Sequence, residues 1–239
     1  MFTKKKDHMR SIKMIAALSM AASLVACGGG GGDGDTQSTS TLTFNLESAY
    51  KALIASGQTA NFKITASNSC TGTATITSSP ANTSTTFESK AAVTSTTVYN
   101  FSYTNCTPAT ISETTVNYYD TNYLLLGTAA QGGNYLVVNG SLNVPSSIKV
   151  GDAGVLGSMT RYTNSTKLTV NGSAQLSYVV ESDTSSTALV TIATKSYSAS
   201  NVLESTQLTK YKIDSASKLT AQSITIQYAN GTNVVLTKS

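Results

Sequence analysis

Glu181 and Asp183 are the most closely spaced carboxylates in the part of the chain that is expected to fold. Alternate residues of a β-strand share one face, so the pair has the placement that a general acid and base need in glycosidases. Asp183, however, opens a turn-like segment, and aspartate commonly caps turns by hydrogen-bonding the nearby backbone. A solvated turn is the favoured interpretation, and a carboxylate-only glycosidase is the less favoured alternative.

The second chemically suggestive stretch is residues 117–123, in which Tyr118, Tyr119 and Tyr123 accompany amides and one carboxylate. Tyrosine rings pack on C–H groups while their hydroxyls bond polar partners, so these residue types occur where sugars or peptides bind. Successive residues of a strand point to opposite faces, and Tyr118 and Tyr119 therefore cannot share a platform unless the strand bulges. Half-buried tyrosines beside a hairpin are the favoured interpretation, and a ligand contact is the alternative.

An export signal precedes these elements. Five basic residues lie in the first 13 positions, and the apolar run over residues 14–26 is interrupted only by serines. A membrane-spanning helix needs about 20 apolar residues, so this run is too short to span a bilayer. The pattern predicts a secretory signal peptide over residues 1–26.

The residues at the end of this segment are Leu24, Val25, Ala26 and Cys27, followed by a run of five glycines. They resemble the lipobox of bacterial lipoproteins, in which the cysteine is lipidated and the bond before it is cut. The resemblance implies a lipid, such as palmitate, on Cys27 and attachment to the membrane through it. It also implies the outer membrane of a Gram-negative bacterium, because Gly28 stands where aspartate would mark retention in the inner membrane.

Two further cysteines, Cys70 and Cys106, remain in the exported chain. In an exported protein two thiols usually form one disulfide, and their spacing is far from that of a C-x-x-C redox pair. The one histidine, His8, lies in the predicted signal peptide. Its removal excludes Ser-His-Asp triads, Cys-His pairs and histidine-ligated metals, so no cofactor and no metal are expected.

The composition excludes further classes. The formal charge of +4 comes from the signal, which holds five of the sixteen basic and one of the twelve acidic residues. The remaining chain has eleven of each sign and no basic footprint for nucleic acid. Charged residues make up only 12% of the sequence, and threonine, valine and tyrosine favour strands. An all-β protein follows.

The pattern of elements predicts how the exported chain is divided. Residues 27–41 form a lipidated, flexible tether without apolar side chains beyond the cysteine. Residues 41–47 alternate as an edge strand, and a short helix ending at Gly57 follows, although a strand there is the alternative. Residues 42–148 are expected to form an immunoglobulin or fibronectin-like β-sandwich with the disulfide. Residues 149–239, with short turns, are expected to form an antiparallel up-and-down β-meander.

The leading functional hypothesis is a non-enzymatic, lipid-anchored protein of the outer membrane that binds or supports an envelope protein or a glycan. It rests on the anchor, the tether and the missing catalytic residues, and the chain resembles glycine-tethered lipoproteins of Gram-negative bacteria. The second hypothesis is a carrier of an apolar ligand on the concave face of the meander. A carrier should leave an apolar cavity of several hundred Å³, whereas a spacer should be packed solid.

Overall fold

The computed structural model describes residues 40–67 and 69–239, and the predicted lipobox, Cys27 and most of the tether lie outside them. The described chain contains one helix, α1 (Leu46–Ser56), and thirteen strands. The strands are β1 (Gln58–Ala66), β2 (Thr71–Ser78), β3 (Thr83–Phe87), β4 (Lys90–Thr104), β5 (Thr110–Tyr119), β6 (Leu125–Ala130), β7 (Gly133–Val138), β8 (Ala153–Tyr162), β9 (Val170–Ser182), β10 (Thr187–Ser198), β11 (Leu203–Asp214), β12 (Leu219–Tyr228) and β13 (Asn233–Lys238).

The predicted short helix is confirmed, and its ends follow ordinary capping rules. The side chain of Asn45 accepts a hydrogen bond from the Ser48 amide at 2.8 Å and thereby caps the first turn. Gly57 ends the helix with a φ of 67°, and its N–H donates to the carbonyl of Leu53. The strand expected before the helix is reduced to a single bridge between Phe44 and Ile148.

The strands form one closed, antiparallel barrel of twelve strands. From β4 to β13 each strand pairs with the next one in sequence, and β13 then pairs with β1, which pairs with β2. The pairing of β2 with β4 closes the ring. Because β4 is 15 residues long, its second half pairs with β2 and its first half with β3, so β2 and β3 share one position in the ring.

The expected combination of a sandwich and a separate meander is therefore wrong. Strands from both sides of residues 148 and 149 belong to the same ring, since β7 pairs directly with β8. The antiparallel up-and-down order was expected only for residues 149–239, but in the structure it begins at β4. Closure removes the sheet edges that a sandwich would leave. It depends on the pairing of β13 with β1, two strands that are far apart in the sequence.

Residues alternate between the interior and the outer face. In β1, Phe62 and Ile64 are buried, whereas Asn61, Lys63 and Thr65 are exposed. Apolar side chains from all around the ring, together with the helix, fill the interior. The outer face is dominated by threonine, serine, asparagine and lysine, as the low charge and high threonine content of the sequence require.

The predicted disulfide between Cys70 and Cys106 is confirmed, with the two Cα atoms 5.7 Å apart. Cys70 follows the turn between β1 and β2, and Cys106 lies in the turn between β4 and β5. Because β2 and β4 are the pair that closes the barrel, the disulfide joins two turns at the seam.

The hairpin of β3 and β4 folds over the outside of the barrel. The ring of Phe87 stacks on Tyr118, with centroids 4.5 Å apart, and lies 5.3 Å from the ring of Tyr135. At the hairpin tip Glu88 accepts hydrogen bonds from the Tyr135 hydroxyl and from Lys167. These contacts give the outer face an aromatic cluster that is already covered.

Within the described residues no helix is long and apolar enough to cross a membrane.

Candidate binding site inside the barrel

A cavity of about 170 Å³ lies inside the barrel beneath α1. It is lined by the helix and by inward-facing residues of nine strands, so it occupies the interior rather than a surface cleft. Its apolar walls include Phe62, Ile76, Leu156, Val190 and Ile192. The cavity exists because the helix covers one end of the ring without filling the space below it.

Four tyrosines from different elements line this cavity. They are Tyr50 of α1, Tyr99 of β4, Tyr119 of β5 and Tyr211 of β11. Burial, and then the like charge that Tyr50, Tyr99 and Tyr211 would carry, raise the pKa of Tyr119. The helix and two sides of the ring thus contribute phenol groups to the lining of one cavity.

Burial is the main cause of the raised pKa values of these four phenols. Burial raises the pKa of Tyr211 to about 12 and raises the pKa of Tyr50, Tyr99 and Tyr119 further, because phenolate is poorly solvated in the interior. Tyr50, Tyr99 and Tyr211 nevertheless retain some accessible area. All three tyrosines line the cavity, which accounts for accessible area on rings that are buried in the barrel. The phenols are therefore neutral hydrogen-bonding groups near neutral pH.

The four hydroxyls make no hydrogen bond to any of the described residues. The four phenol oxygens retain accessible area, since they are not among the fully buried side-chain atoms that lack a partner. The hydroxyl oxygen of Thr128, which also lines the cavity, is buried without a partner among the described residues as well. Five residues of the lining, the four tyrosines and Thr128, thus carry hydroxyl groups without a partner among the described residues.

Several other polar groups of the lining are paired with one another. The Asn117 amide donates to the Thr97 hydroxyl at 2.9 Å, and Ser78 bonds the same hydroxyl at 2.9 Å. On the opposite wall the Gln207 amide donates to the Thr209 hydroxyl at 3.2 Å. Among the described residues that line the cavity there is no Asp, Glu, Lys, Arg or His. The site is thus mostly apolar, and its polar groups are uncharged.

A groove of about 360 Å³ lies beside the cavity, between α1 and the rim formed by β1 and β12. Strand β13 pairs with β1 only from Phe62 to Ala66, and with β12 only from Ser223 to Gln227. The rim residues that precede Phe62 in β1 and Ser223 in β12 therefore have no partner in β13. Leu53, Ala60 and Ala221 line both the groove and the cavity. A layer of small and apolar side chains therefore separates the cavity from the surface at this point.

The structure distributes the three tyrosines of the predicted contact stretch over different surroundings. Tyr119 lines the cavity, whereas Tyr118 lies on the outer face against Phe87. Tyr123 lies in the turn after β5 and packs against the core beside the helix. The rings do not form a common platform, as the alternation of strand residues predicts. Tyr119 alone is brought to the candidate site.

The two spaced carboxylates lie on the outer face and are paired with lysines. Glu181 lies 3.0 Å from Lys210, and Asp183 lies 3.0 Å from Lys212. A hydrogen bond from the Thr187 hydroxyl, assisted by Lys212, lowers the pKa of Asp183. A general acid in a glycosidase needs a raised pKa, so this pair has the opposite character. The turn interpretation agrees with Thr187 and Asp183 being bonded across the turn.

Sequence reasoning missed the convergence of Tyr50, Tyr99 and Tyr211, although the alternation of each element placed their rings on the apolar face. It also missed Arg161, which is 4% exposed and donates to the carbonyl of Asn171 and to the Glu204 carboxylate. An arginine at an inward position two residues after Met159 is the signal that could have identified it. Its partners also include the Tyr197 carbonyl, so they come from β9, β10 and β11, and only the barrel brings them together.

The fold and the cavity define the class: an antiparallel up-and-down β-barrel with a polar outer face, a covering helix and an uncharged interior cavity. Comparison of the sequence with protein-family models and with curated proteins, and of the structure with solved structures, finds no match. The chemistry of the site therefore has to be argued from the residues themselves.

Proposed function

We propose that the protein is a lipid-anchored protein of the bacterial outer membrane whose barrel binds a small molecule in its interior cavity. The observation that carries the proposal is the set of four tyrosyl hydroxyls that face a cavity of about 170 Å³ without partners among the described residues. Binding is non-enzymatic in this proposal, because the groups around the cavity are neutral and no nucleophile is paired with a base there.

The cavity supports binding better than it supports a purely structural role. A barrel that serves only as a spacer would be most stable with a dry, apolar core, because each unpaired buried hydroxyl destabilises the fold. A ligand that accepts hydrogen bonds from these hydroxyls would use this hydrogen-bonding capacity. An apolar cavity of about 150 Å³ is known to admit benzene, so the space here suits a molecule of similar or slightly larger size.

The size of the cavity also narrows the carrier hypothesis. A carrier of a lipid or another long apolar ligand would need several hundred Å³. The cavity of about 170 Å³ is too small for an acyl chain, and its lining includes five unpaired hydroxyls. The cavity therefore suits a small ligand with a polar group better than a large apolar ligand.

The outer face supports attachment by a lipid rather than insertion of the barrel. Outward-facing Asn61, Lys63 and Thr65 are exposed on β1, and Thr71 and Thr73 continue the polar surface on β2. A barrel inserted in a bilayer presents apolar residues outward, and lysine there is unfavourable by about 2–4 kcal/mol. The barrel would therefore stand in water, held by the lipid at Cys27 and the tether.

The anchor is tested by labelling cells with radioactive palmitate and by fractionating the envelope. The wild-type protein should incorporate the label and stay with the outer membrane, and Cys27→Ala should do neither. An unlabelled wild-type protein recovered from the culture medium would refute the anchored location. Binding within the barrel would remain a separate question.

Binding is tested by filling the cavity. Ala221 lines it and is 7% exposed, so Ala221→Leu should place three additional carbon atoms in the space. Ligand-observed NMR with a set of small molecules should give signals for the wild type that Ala221→Leu loses. Thr225→Leu is the matched control, because it adds bulk on the outer side of the same strand. Signals that persist in Ala221→Leu would contradict binding inside the barrel.

A further inference from the structure

We infer that the cavity selects an uncharged molecule of about six to ten non-hydrogen atoms that carries a hydrogen-bond acceptor, such as an amide or ketone carbonyl, on an apolar ring or short branched body. The inference rests on the proposed function, because it specifies the ligand of the same cavity. It is argued from the charge, the hydrogen-bonding groups and the size of the site.

The charge of the ligand follows from the absence of ionised groups among the described lining residues. An ion moved from water into such a site loses its hydration without gaining a counter-charge, which is strongly unfavourable. The tyrosines cannot supply the charge either, since burial raises the pKa of Tyr211 to about 12 and so keeps its phenol neutral. A neutral ligand is the one that pays no such penalty.

The acceptor follows from which groups of the lining remain unpaired. Asn117 and Thr97 bond each other on one wall, and Gln207 bonds Thr209 on the other. Apart from the Gln58 side chain, which also lines the groove at the rim, the groups left are the Thr128 hydroxyl and the phenol hydroxyls, which are strong donors, from the helix and from both sides of the ring. A carbonyl oxygen has two lone pairs and can accept from two tyrosines at once. An amide or ketone therefore fits the unused capacity better than an alkyl or an ammonium group.

The body of the ligand follows from the rest of the lining. Ile76, Leu156, Val190, Ile192 and Ile224 surround the polar cluster. These side chains favour apolar surface, and an apolar site gains about 25 cal/mol for each Å² that is removed from water. Since a cavity of about 150 Å³ holds benzene, a single ring with one polar substituent matches the volume of about 170 Å³.

Three probes of the same size separate these requirements: benzamide, benzoate and cumene. Benzamide is neutral and has a carbonyl, benzoate has nearly the same shape but is charged, and cumene is neutral without an acceptor. Calorimetry or protein-observed NMR with the full exported chain should give a Kd for benzamide that is at least about tenfold lower than for either of the others, since one retained hydrogen bond corresponds to about that factor.

Hydroxyl deletions supply the second measurement. Tyr99→Phe and Tyr211→Phe should each weaken benzamide binding about fivefold or more and leave cumene binding unchanged, because they remove a donor without changing the apolar shape. Tyr162→Phe is the control, since it removes a hydroxyl from the outer aromatic cluster. It should change neither affinity. Thermal unfolding verifies that each variant is folded.

The outcomes distinguish the inference from the proposed function. Tighter binding of benzoate, or equal binding of cumene and benzamide with no effect of Tyr99→Phe and Tyr211→Phe, would overturn the inference. If that binding is still lost in Ala221→Leu, the proposed function stands. Failure of all three probes to bind the wild type would overturn the inference, and failure of the wider set of small molecules as well would overturn the proposed function.

Discussion

Alkaline pH should destabilise the barrel through its buried tyrosines, and Tyr211→Phe should remove a defined part of that effect. In the folded protein the pKa of Tyr211 is raised from 10.0 to about 12 by burial. Below pH 10 the phenol is protonated in both states, so its contribution to stability is complete. Above pH 10 the unfolded chain loses this proton first, and the free energy of unfolding falls as the pH rises toward 12.

The size of the effect follows from the shift. One pKa unit corresponds to about 1.36 kcal/mol, so the shift of Tyr211 from 10.0 to about 12 gives a loss of about 2.7 kcal/mol across that interval. Tyr50, Tyr99 and Tyr119 also have raised pKa values and add slopes of the same sign.

Denaturant unfolding at a series of pH values between 10 and 12, followed by circular dichroism, measures this slope. Tyr211→Phe should fall less steeply than the wild type, by about 1.4 kcal/mol per pH unit. Ile213→Val is the control, since Ile213 is a fully buried neighbour on the same strand without an ionisable group. It should lower stability equally at every pH. If Tyr211→Phe loses stability as steeply as the wild type, then Tyr211 titrates normally and is not withdrawn from water.

Three further substitutions test the barrel itself, each by denaturant unfolding against the wild type. Replacing Cys70 and Cys106 together by serine should lower the free energy of unfolding by about 4 kcal/mol in the chain-entropy model, and an unchanged midpoint would show that the seam does not need the bridge. Gly127→Ala should lower the free energy of unfolding by about 1–3 kcal/mol, because the new Cβ would lie 2.2 Å from the Leu136 carbonyl oxygen. Wild-type stability of this variant would mean that β6 and β7 separate easily at this point. Arg161→Ala should lower it by about 3 kcal/mol through the loss of its buried hydrogen bonds, and a loss below about 0.5 kcal/mol would contradict that role.

Local features of the fold were predictable because they depend on residues close in sequence. The helix from Leu46 to Ser56 follows from a change of period and a terminal glycine, and the strands follow from alternation and turn residues. The disulfide between Cys70 and Cys106 was predictable because these are the two cysteines outside the predicted lipobox and leave one pairing. Of the three tyrosines singled out in the sequence, Tyr119 lines the cavity, whereas Tyr50, Tyr99 and Tyr211 of the lining were not singled out.

The sequence by itself determined that the chain is threonine-rich and that its folded part is all-β. It did not determine that the strands close into one ring, because closure depends on β13 meeting β1 and on β4 accepting two partners. Alternation tells which side of a strand a residue occupies but not what lies opposite. Only the closed barrel, with its helix across one end, brings Tyr50, Tyr99, Tyr119 and Tyr211 together around one uncharged cavity.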